Sequence, residues 1–334
     1  KTKNQKPDNI QNIGILINVA IGDTTIATGV IEDIKRDLSN AKITLFVGGS
    51  NYEVAKLIQG VDVVKLPVLN LFQSIKILKQ YQFDAWLDFG QWARLNAICS
   101  FFVNAKFKVG FKTSGQFRHF TYDKSVYHLS TGHEIDNFRA LAEEIGVNGI
   151  AKPQFYLDKS IEKENCAILH LFAGGSKSYL KEWALENWQQ LIKNLLLQFD
   201  TIYLSGAAID NIKIEPIIAD FDKSKVISIA GKVDIKQMVE YLQKASLVVS
   251  VDTGIMHLAS AVNTNLVALH GPTSPNRWGA LNKNAISLSA NISCAPCLSL
   301  GFESKCTEPK CMQSITVESV MAAINALKLQ KTSF

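Results

Sequence analysis

The chain has 334 residues, 47% of them hydrophobic, and 35 Lys and Arg against 30 Asp and Glu give a net charge of +5. That length accommodates two medium domains with ordinary packed cores, and the composition excludes disorder. No apolar run reaches the ~18 to 20 residues of a membrane-spanning helix, and the small charge excess, which sits in the first half, predicts no nucleic-acid partner.

Residues 13–22, IGILINVAIG, follow a Lys-bearing start and superficially resemble a signal-peptide core. They stop at Asp23 without a small-residue cleavage site, so they read as the first strand of a cytoplasmic protein. A helix from Thr25 to Leu38 follows, with Val30, Ile34 and Leu38 recurring every four residues beside Ala27 and Ile31. The same alternation continues with KITLFVG and a helix over 52–58, VDVVKL and a helix over 71–78, then FDAWLDF and a helix over 92–102. Strands alternating with helices predict a parallel sheet covered on both faces.

Residues 106–128 carry Lys106, Lys108, Lys112, Arg118 and Lys124 interleaved with Phe and Tyr, with Asp123 the one acid. Such a segment suits nucleic acid, an anionic lipid headgroup or a phosphorylated saccharide, or else is a solvated surface loop. A linker-like patch over 146–165, with Gly149, Pro153 and the charged LDKSIEKEN, separates a domain over 1–155 from one over 156–334. The second half repeats the rhythm: AILHLF and a helix over 183–197, TIYLSG and a helix over 212–218, VISIAG and a helix over 235–242, then LVVSV and LVALH. A last helix is expected over 317–329.

Within 246–281 two apolar runs end abruptly in small polar turns. VVSV meets Asp252-Thr253-Gly254 ahead of a helix-like IMHLASAV, and VALH meets Gly271-Pro272-Thr273-Ser274-Pro275. Backbone N–H groups at such strand ends and helix starts are unpaired and point outward, and the helix dipole adds positive potential, so adjacent turns of this kind suit a diphosphate. His257 falls in the first turns of that helix, where a neutral imidazole donates to phosphate. Neither half shows G-x-G-x-x-G after its first strand, which argues against a dehydrogenase.

This stretch resembles the donor-binding region of the bacterial lipopolysaccharide heptosyltransferase family, glycosyltransferase family 9, through Asp252, Thr253, Gly254, His257, Gly271, Pro272 and Thr273. The resemblance implies a GT-B fold, two Rossmann-like domains facing across a cleft. The first would bind acceptor and the second nucleotide-sugar, with the last helix packing back on the first. It also implies inverting transfer of a heptose from ADP-heptose to a saccharide hydroxyl of the lipopolysaccharide inner core. Alternatives are transfer of another sugar, heptosylation of a protein, or a sugar-nucleotide-binding protein that has lost catalysis.

On this resemblance Asp23, in Ala20-Ile21-Gly22-Asp23-Thr24-Thr25, matches the catalytic base; by itself it would equally serve as a helix cap. Lys181, in HLFAGGSKSYLKEW, matches a donor-binding lysine, with Ser176 in the small-residue turn before it; Asp210 matches an acidic residue that contacts the nucleoside or, equally, a cap. Asp88, Gln91 and Arg94 would face the acceptor, together with Lys108, Lys112 and Arg118. No Asp-x-Asp pair is placed for a catalytic cation, so no cofactor is expected for transfer. Cys294, Cys297, Cys306 and Cys311 open as C-x2-C and either hold structural zinc or iron or are free thiols. The expected partners are an ADP-sugar and an anionic lipid-linked or core-oligosaccharide acceptor, with peripheral contact at the inner face of the inner membrane.

Overall fold

A computed structural model describes residues 3–156, 160–300 and 303–329. The chain divides into two units, Lys1–Tyr156 and Leu157–Phe334; residues 157–159 of the expected linker lie outside the described residues.

The first unit runs β1 (Asn12–Ile17), α1 (Ile21–Asp37), β2 (Lys42–Val47), α2 (Tyr52–Ala55), β3 (Asp62–Lys65), α3 (Leu71–Leu78), β4 (Gln82–Asp88), α4 (Arg94–Phe102), β5 (Asn104–Lys112), β6 (Lys124–Tyr127) and α5 (Glu134–Glu143). The second runs β7 (Glu164–His170), α6 (Leu185–Leu195), β8 (Thr201–Ser205), α7 (Asn211–Ile218), β9 (Val226–Ser228), α8 (Ile235–Lys244), β10 (Ala245–Val251), α9 (Gly254–Ala261), β11 (Leu266–His270), α10 (Pro275–Trp278), β12 (Ala285–Ser289), α11 (Lys310–Gln313) and α12 (Val317–Leu329).

Each unit holds one six-stranded sheet, ordered β3-β2-β1-β4-β5-β6 in the first and β12-β11-β10-β7-β8-β9 in the second, and every strand pair is parallel. Read from its own first strand, the second sheet has the same order as the first. This is the doubly wound order in which ligands bind outside the carboxyl ends of the strands, where the winding reverses. The reversal falls between β1 and β4 in one sheet and between β7 and β10 in the other.

The strands are near-continuous apolar runs because both faces are covered. Ile13, Ile15, Leu16 and Ile17 of β1 are fully buried, as are Val248, Val249 and Val251 of β10. At Gly14 a Cβ would meet the Trp86 ring at 2.5 Å, so only glycine lets β1 lie beside that indole, whose Nε1 donates to Ser100 Oγ at 2.9 Å.

Two expectations are corrected. Helix α1 starts at Ile21 rather than Thr25, because extended Ala20 serves as its N-cap and the Thr24 and Thr25 hydroxyls donate back to Ala20 O (3.1 Å) and Ile21 O (2.8 Å). Residues 106–128 are not one charged surface loop: they span most of β5, a 3₁₀ turn at Arg118–Phe120, and β6, with Phe117 and Phe120 exposed between the strands. Their Phe107, Val109 and Phe111 are core residues, so the lysine spacing is strand alternation and not a charged loop. Within the second unit, Val320, Ala323, Ile324 and Leu327 of α12 share a core with Trp188, Leu191 and Leu195 of α6 and Leu269 of β11. Among the described residues no helix is long and apolar enough to cross a membrane.

Candidate active site

At the winding reversal of the first sheet, the first turn of α1 follows β1 and presents Asp23, while Gln91 follows β4. Gln91 Nε2 donates to Asp23 Oδ1 at 2.5 Å, bridging the two strand ends. The capping role for Asp23 does not hold, since α1 has no side-chain cap hydrogen bond and Ala20 is the N-cap. Half-buried Asp23 has its pKa pushed up to about 7, by burial first and then by the negative charge of Glu134; the Gln91 hydrogen bond acts in the opposite direction. A carboxyl titrating there suits proton transfer near neutral pH.

Glu134 is an unforeseen part of this site. It is fully buried on α5, accepts from Asn137 Nδ2 at 3.2 Å, and lies 2.8 Å from His128 Nε2. Asn51, also unforeseen, orders the opposite side: its Nδ2 donates to Ile17 O (2.6 Å) and Thr24 Oγ1 (2.7 Å), and its Oδ1 accepts from Gly48 N. No spacing rule connects these residues to Asp23, because α5 and the loop after β2 reach α1 only through the fold.

In the second sheet the reversal brings Lys181, after β7, to Asp252, after β10. Lys181 Nζ lies 3.0 Å from Asp252 Oδ2 and 3.3 Å from Asp252 O. Burial alone would raise the Asp252 pKa, but Lys181 foremost, then His270 and His257, pulls it well below the usual carboxylate range. Thr253 caps α9, its Oγ1 accepting from Ile255 N (3.2 Å) and Met256 N (3.4 Å), and Gly254 opens the helix. The buried His257 lies one turn in.

Two further histidines close the strand ends. His270 ends β11, its Nδ1 lying 3.3 Å from Thr273 Oγ1. His170 ends β7, 2.9 Å from Ser205 Oγ, and burial lowers its pKa to about 4, so it is neutral at physiological pH. Both sit where an apolar run ends, the one signal by which the sequence could have shown them. Gly271 has a packing reason: a Cβ there would lie 2.4 Å from Met312 Sδ of α11. Ser176 is exposed beside Gly175, whose φ of 88° is left-handed. Asp210 Oδ2 accepts from Ala207 N at 2.7 Å, folding back on its own loop.

The expected acceptor residues separate into two groups. Arg94 is exposed, its Nη2 donating to Gly115 O at 3.1 Å, and half-buried Lys112 reaches Tyr127 Oη at 2.8 Å. Lys108, Arg118 and Asp88, by contrast, are interior groups and not acceptor contacts. Lys108 Nζ donates to Ser100 O (2.8 Å) and Phe101 O (2.9 Å) at the end of α4. Arg118 is fully buried, donating to Gly90 O and to Asp88 Oδ2, and Asp88 also accepts from Tyr122, Ser100 and Gly90 N. Burial of these ions demands such pairing, and the network fixes the backbone immediately before Gln91.

The four C-terminal cysteines form no disulfide: Cys294 is exposed, Cys297 and Cys306 half-buried, Cys311 buried. Among the described residues no three His, Cys, Asp or Glu side chains converge to hold a metal ion. Cys306 Sγ donates to Glu308 O at 3.0 Å, and burial raises the Cys311 pKa.

Two doubly wound parallel sheets of the same strand order, one carrying a carboxylate tuned to neutral pH and the other a capped helix start with a lysine, have the architecture of the GT-B fold. The chain belongs to glycosyltransferase family 9 (heptosyltransferase), which it matches over residues 71–308. It is 27% identical to the lipopolysaccharide core heptosyltransferase OpsX of Haemophilus influenzae, over 96% of this chain and 97% of that protein. Among solved structures it shares the fold of E. coli ADP-heptose lps heptosyltransferase II, with a TM-score of 0.77 at 18% identity over 97% of this chain and 100% of the other. E. coli heptosyltransferase WaaC with ADP is similar, with a TM-score of 0.76 at 18% identity over 95% and 100%.

Proposed function

We propose that the protein transfers a heptose from ADP-heptose, with inversion, to a hydroxyl of an inner-core saccharide of lipopolysaccharide on the cytoplasmic side of the inner membrane. The first unit binds the acceptor and the second the nucleotide-sugar. The observation that carries this reading is Asp23, a carboxylate with its pKa at about 7 at the carboxyl edge of the first sheet, held by Gln91. Support for the donor comes from the names of similar proteins, which include WaaC with ADP and with ADP-2-deoxy-2-fluoro heptose.

In this scheme deprotonated Asp23 takes the proton of the acceptor hydroxyl. That oxygen bonds to the anomeric carbon as the carbon–oxygen bond to the diphosphate breaks on the opposite face, and ADP leaves with the electron pair. The leaving diphosphate gains negative charge, which preorganised donors stabilise most where they need not move. The start of α9, Lys181 and His257 meet that charge, with the helix dipole adding to it. Lys181 exchanges its contact with Asp252 for phosphate oxygens. Thr273 supports His270, while Gly271, Ser176 and Asp210 border the same strand ends and are the weaker donor contacts; Arg94 and Lys112 meet acceptor anions.

The test is incubation of the purified protein with ADP-heptose, ADP-glucose or UDP-glucose and a deacylated inner-core saccharide, with mass spectrometry of the product. Addition of one heptose mass from ADP-heptose alone is expected. Hexose transfer, or no transfer with any donor, would sink the reading.

A further inference from the structure

We propose that the loops after β3, β4 and β5 form a docking surface for a bilayer bearing anionic phospholipid headgroups. The proposal deepens the reading of a membrane-linked acceptor and rests on it for its biological setting, though not for its test. Because all strands of the first sheet are parallel, these three loops share the carboxyl edge on which Asp23 lies.

They expose large apolar side chains with no protein cover. Leu69 is fully exposed in the first loop and Phe72, at the start of α3, is 87% exposed; Phe117 and Phe120 in the third loop are 66% and 73% exposed. Singly such residues are ordinary, but several on one sheet edge, joined through packed helices, mark an interaction surface. The elements carrying them touch: α3 packs on α4, α4 packs on the 118–120 turn, and Arg94 binds Gly115 O across the gap. Phe117 also has a left-handed backbone, with φ of 55°, which a bulky residue adopts only when its surroundings hold it there.

Charge selects the occupant. From Leu66 to Thr121 the only acidic residues are Asp84 and Asp88. Asp84 lies on the opposite edge, near the start of β4, paired with Lys106, and Asp88 is buried against Arg118. The three loops therefore offer apolar tips with Lys65, Lys76 and Arg94 exposed among them and no exposed carboxylate, and the exposed Glu53 after β2 is paired with Lys56. A second copy docking symmetrically would face these cations with themselves and gain no ion pair. An anionic headgroup layer over an acyl boundary satisfies both components at once, since aromatic rings enter the interface and each nearby cation adds attraction.

The experiment is co-sedimentation of the full chain with phosphatidylcholine vesicles and with vesicles of phosphatidylcholine and phosphatidylglycerol in equal parts, with neither donor nor acceptor present. The parent is expected to bind the phosphatidylglycerol vesicles preferentially and less strongly at raised salt. The variant Leu69→Ser, Phe72→Ser, Phe117→Asn, Phe120→Ser should bind at least roughly tenfold more weakly, with unchanged circular dichroism and unchanged transfer to a soluble deacylated saccharide. Phe117→Asn suits the left-handed backbone, and Phe72→Ser alone, at an exposed helix start, should weaken binding several-fold if the quadruple variant folds poorly. Parent protein that ignores phosphatidylglycerol, or a folded variant that binds as well as the parent, overturns the proposal. A parent dimer that the variant disperses in sedimentation velocity overturns it in favour of self-association. Vesicle binding by a protein that transfers no heptose would leave this surface standing while removing the proposed reaction.

Discussion

The two units place an aspartate at the same topological point and treat it oppositely. Asp23 follows the first strand of its sheet and has a neutral partner, Gln91, after the fourth; Asp252 follows the fourth strand of its sheet and has a cationic partner, Lys181, after the first. Both are desolvated, which raises a carboxyl pKa. With a glutamate as its charged neighbour, Asp23 goes up to about 7, whereas Lys181, His270 and His257 take Asp252 below its ordinary range. One backbone scaffold thus holds a carboxyl that titrates near neutral pH in one unit and a charged partner for a lysine in the other. The choice is made by side chains that the topology delivers from elsewhere in the chain.

The largest expected effect comes from removing the tuned carboxylate. Asp23→Asn should lower transfer on the order of 100-fold or more while leaving donor affinity unchanged, and near-normal turnover in a folded variant would end its assignment as base. Stability provides a second readout. A raised folded-state pKa means the native state holds its proton between the unfolded value of 3.8 and about 7, so stability falls with pH across that window and stays at its lower level above it. The asparagine variant should therefore melt higher than the parent above pH 7.

Lys181→Met should weaken donor binding roughly tenfold or more and destabilise the second unit by about 2 kcal/mol, since it strands a buried charge. The sign of its pH dependence is opposite to that of Asp23. Asp252, with its pKa lowered, stabilises the fold above 3.8 and loses that contribution as pH falls through its folded value. Thermal melts at neutral pH and pH 3 should show the parent and variant converging in acid; a constant gap would mean that the pair contributes little.

A smaller change tests what sets Asp23 apart. Glu134→Gln removes its charged neighbour, so the acidic limb of the rate profile should move to lower pH, raising the relative rate at pH 6 a few-fold. An unmoved limb would leave burial as the sole cause. Within the basic strand, Lys108→Ala should lower the melting temperature and leave acceptor KM unchanged, whereas Lys112→Ala should raise that KM about two- to three-fold at low salt without a stability cost. The smallest expected effect is that of EDTA, which should leave turnover unchanged if protein donors alone meet the diphosphate charge.

The turn after β10 was legible because its parts are local: a strand end, a capping Thr253 and an opening Gly254 are contiguous, and their geometry follows from the backbone. Gly271 was legible as a turn but not in its reason, which is the approach of Met312 from α11. The lysines of 106–128 misled because charge counts carry no direction, and a central strand between β4 and β6 turns Lys108 inward onto carbonyls at the end of α4.

By itself the sequence determined the alternation of strands and helices, the apolar faces, the two-sheet architecture and the small polar turns. These depend on periodicity and on backbone groups within a few residues of one another. Only the tertiary structure decided which charges face solvent, that Asp88 and Arg118 support the backbone ahead of Gln91, and that Glu134 lies near Asp23. Those outcomes depend on desolvation and on pairings between residues far apart in the chain, and burial is a property of the assembled core that no local pattern contains.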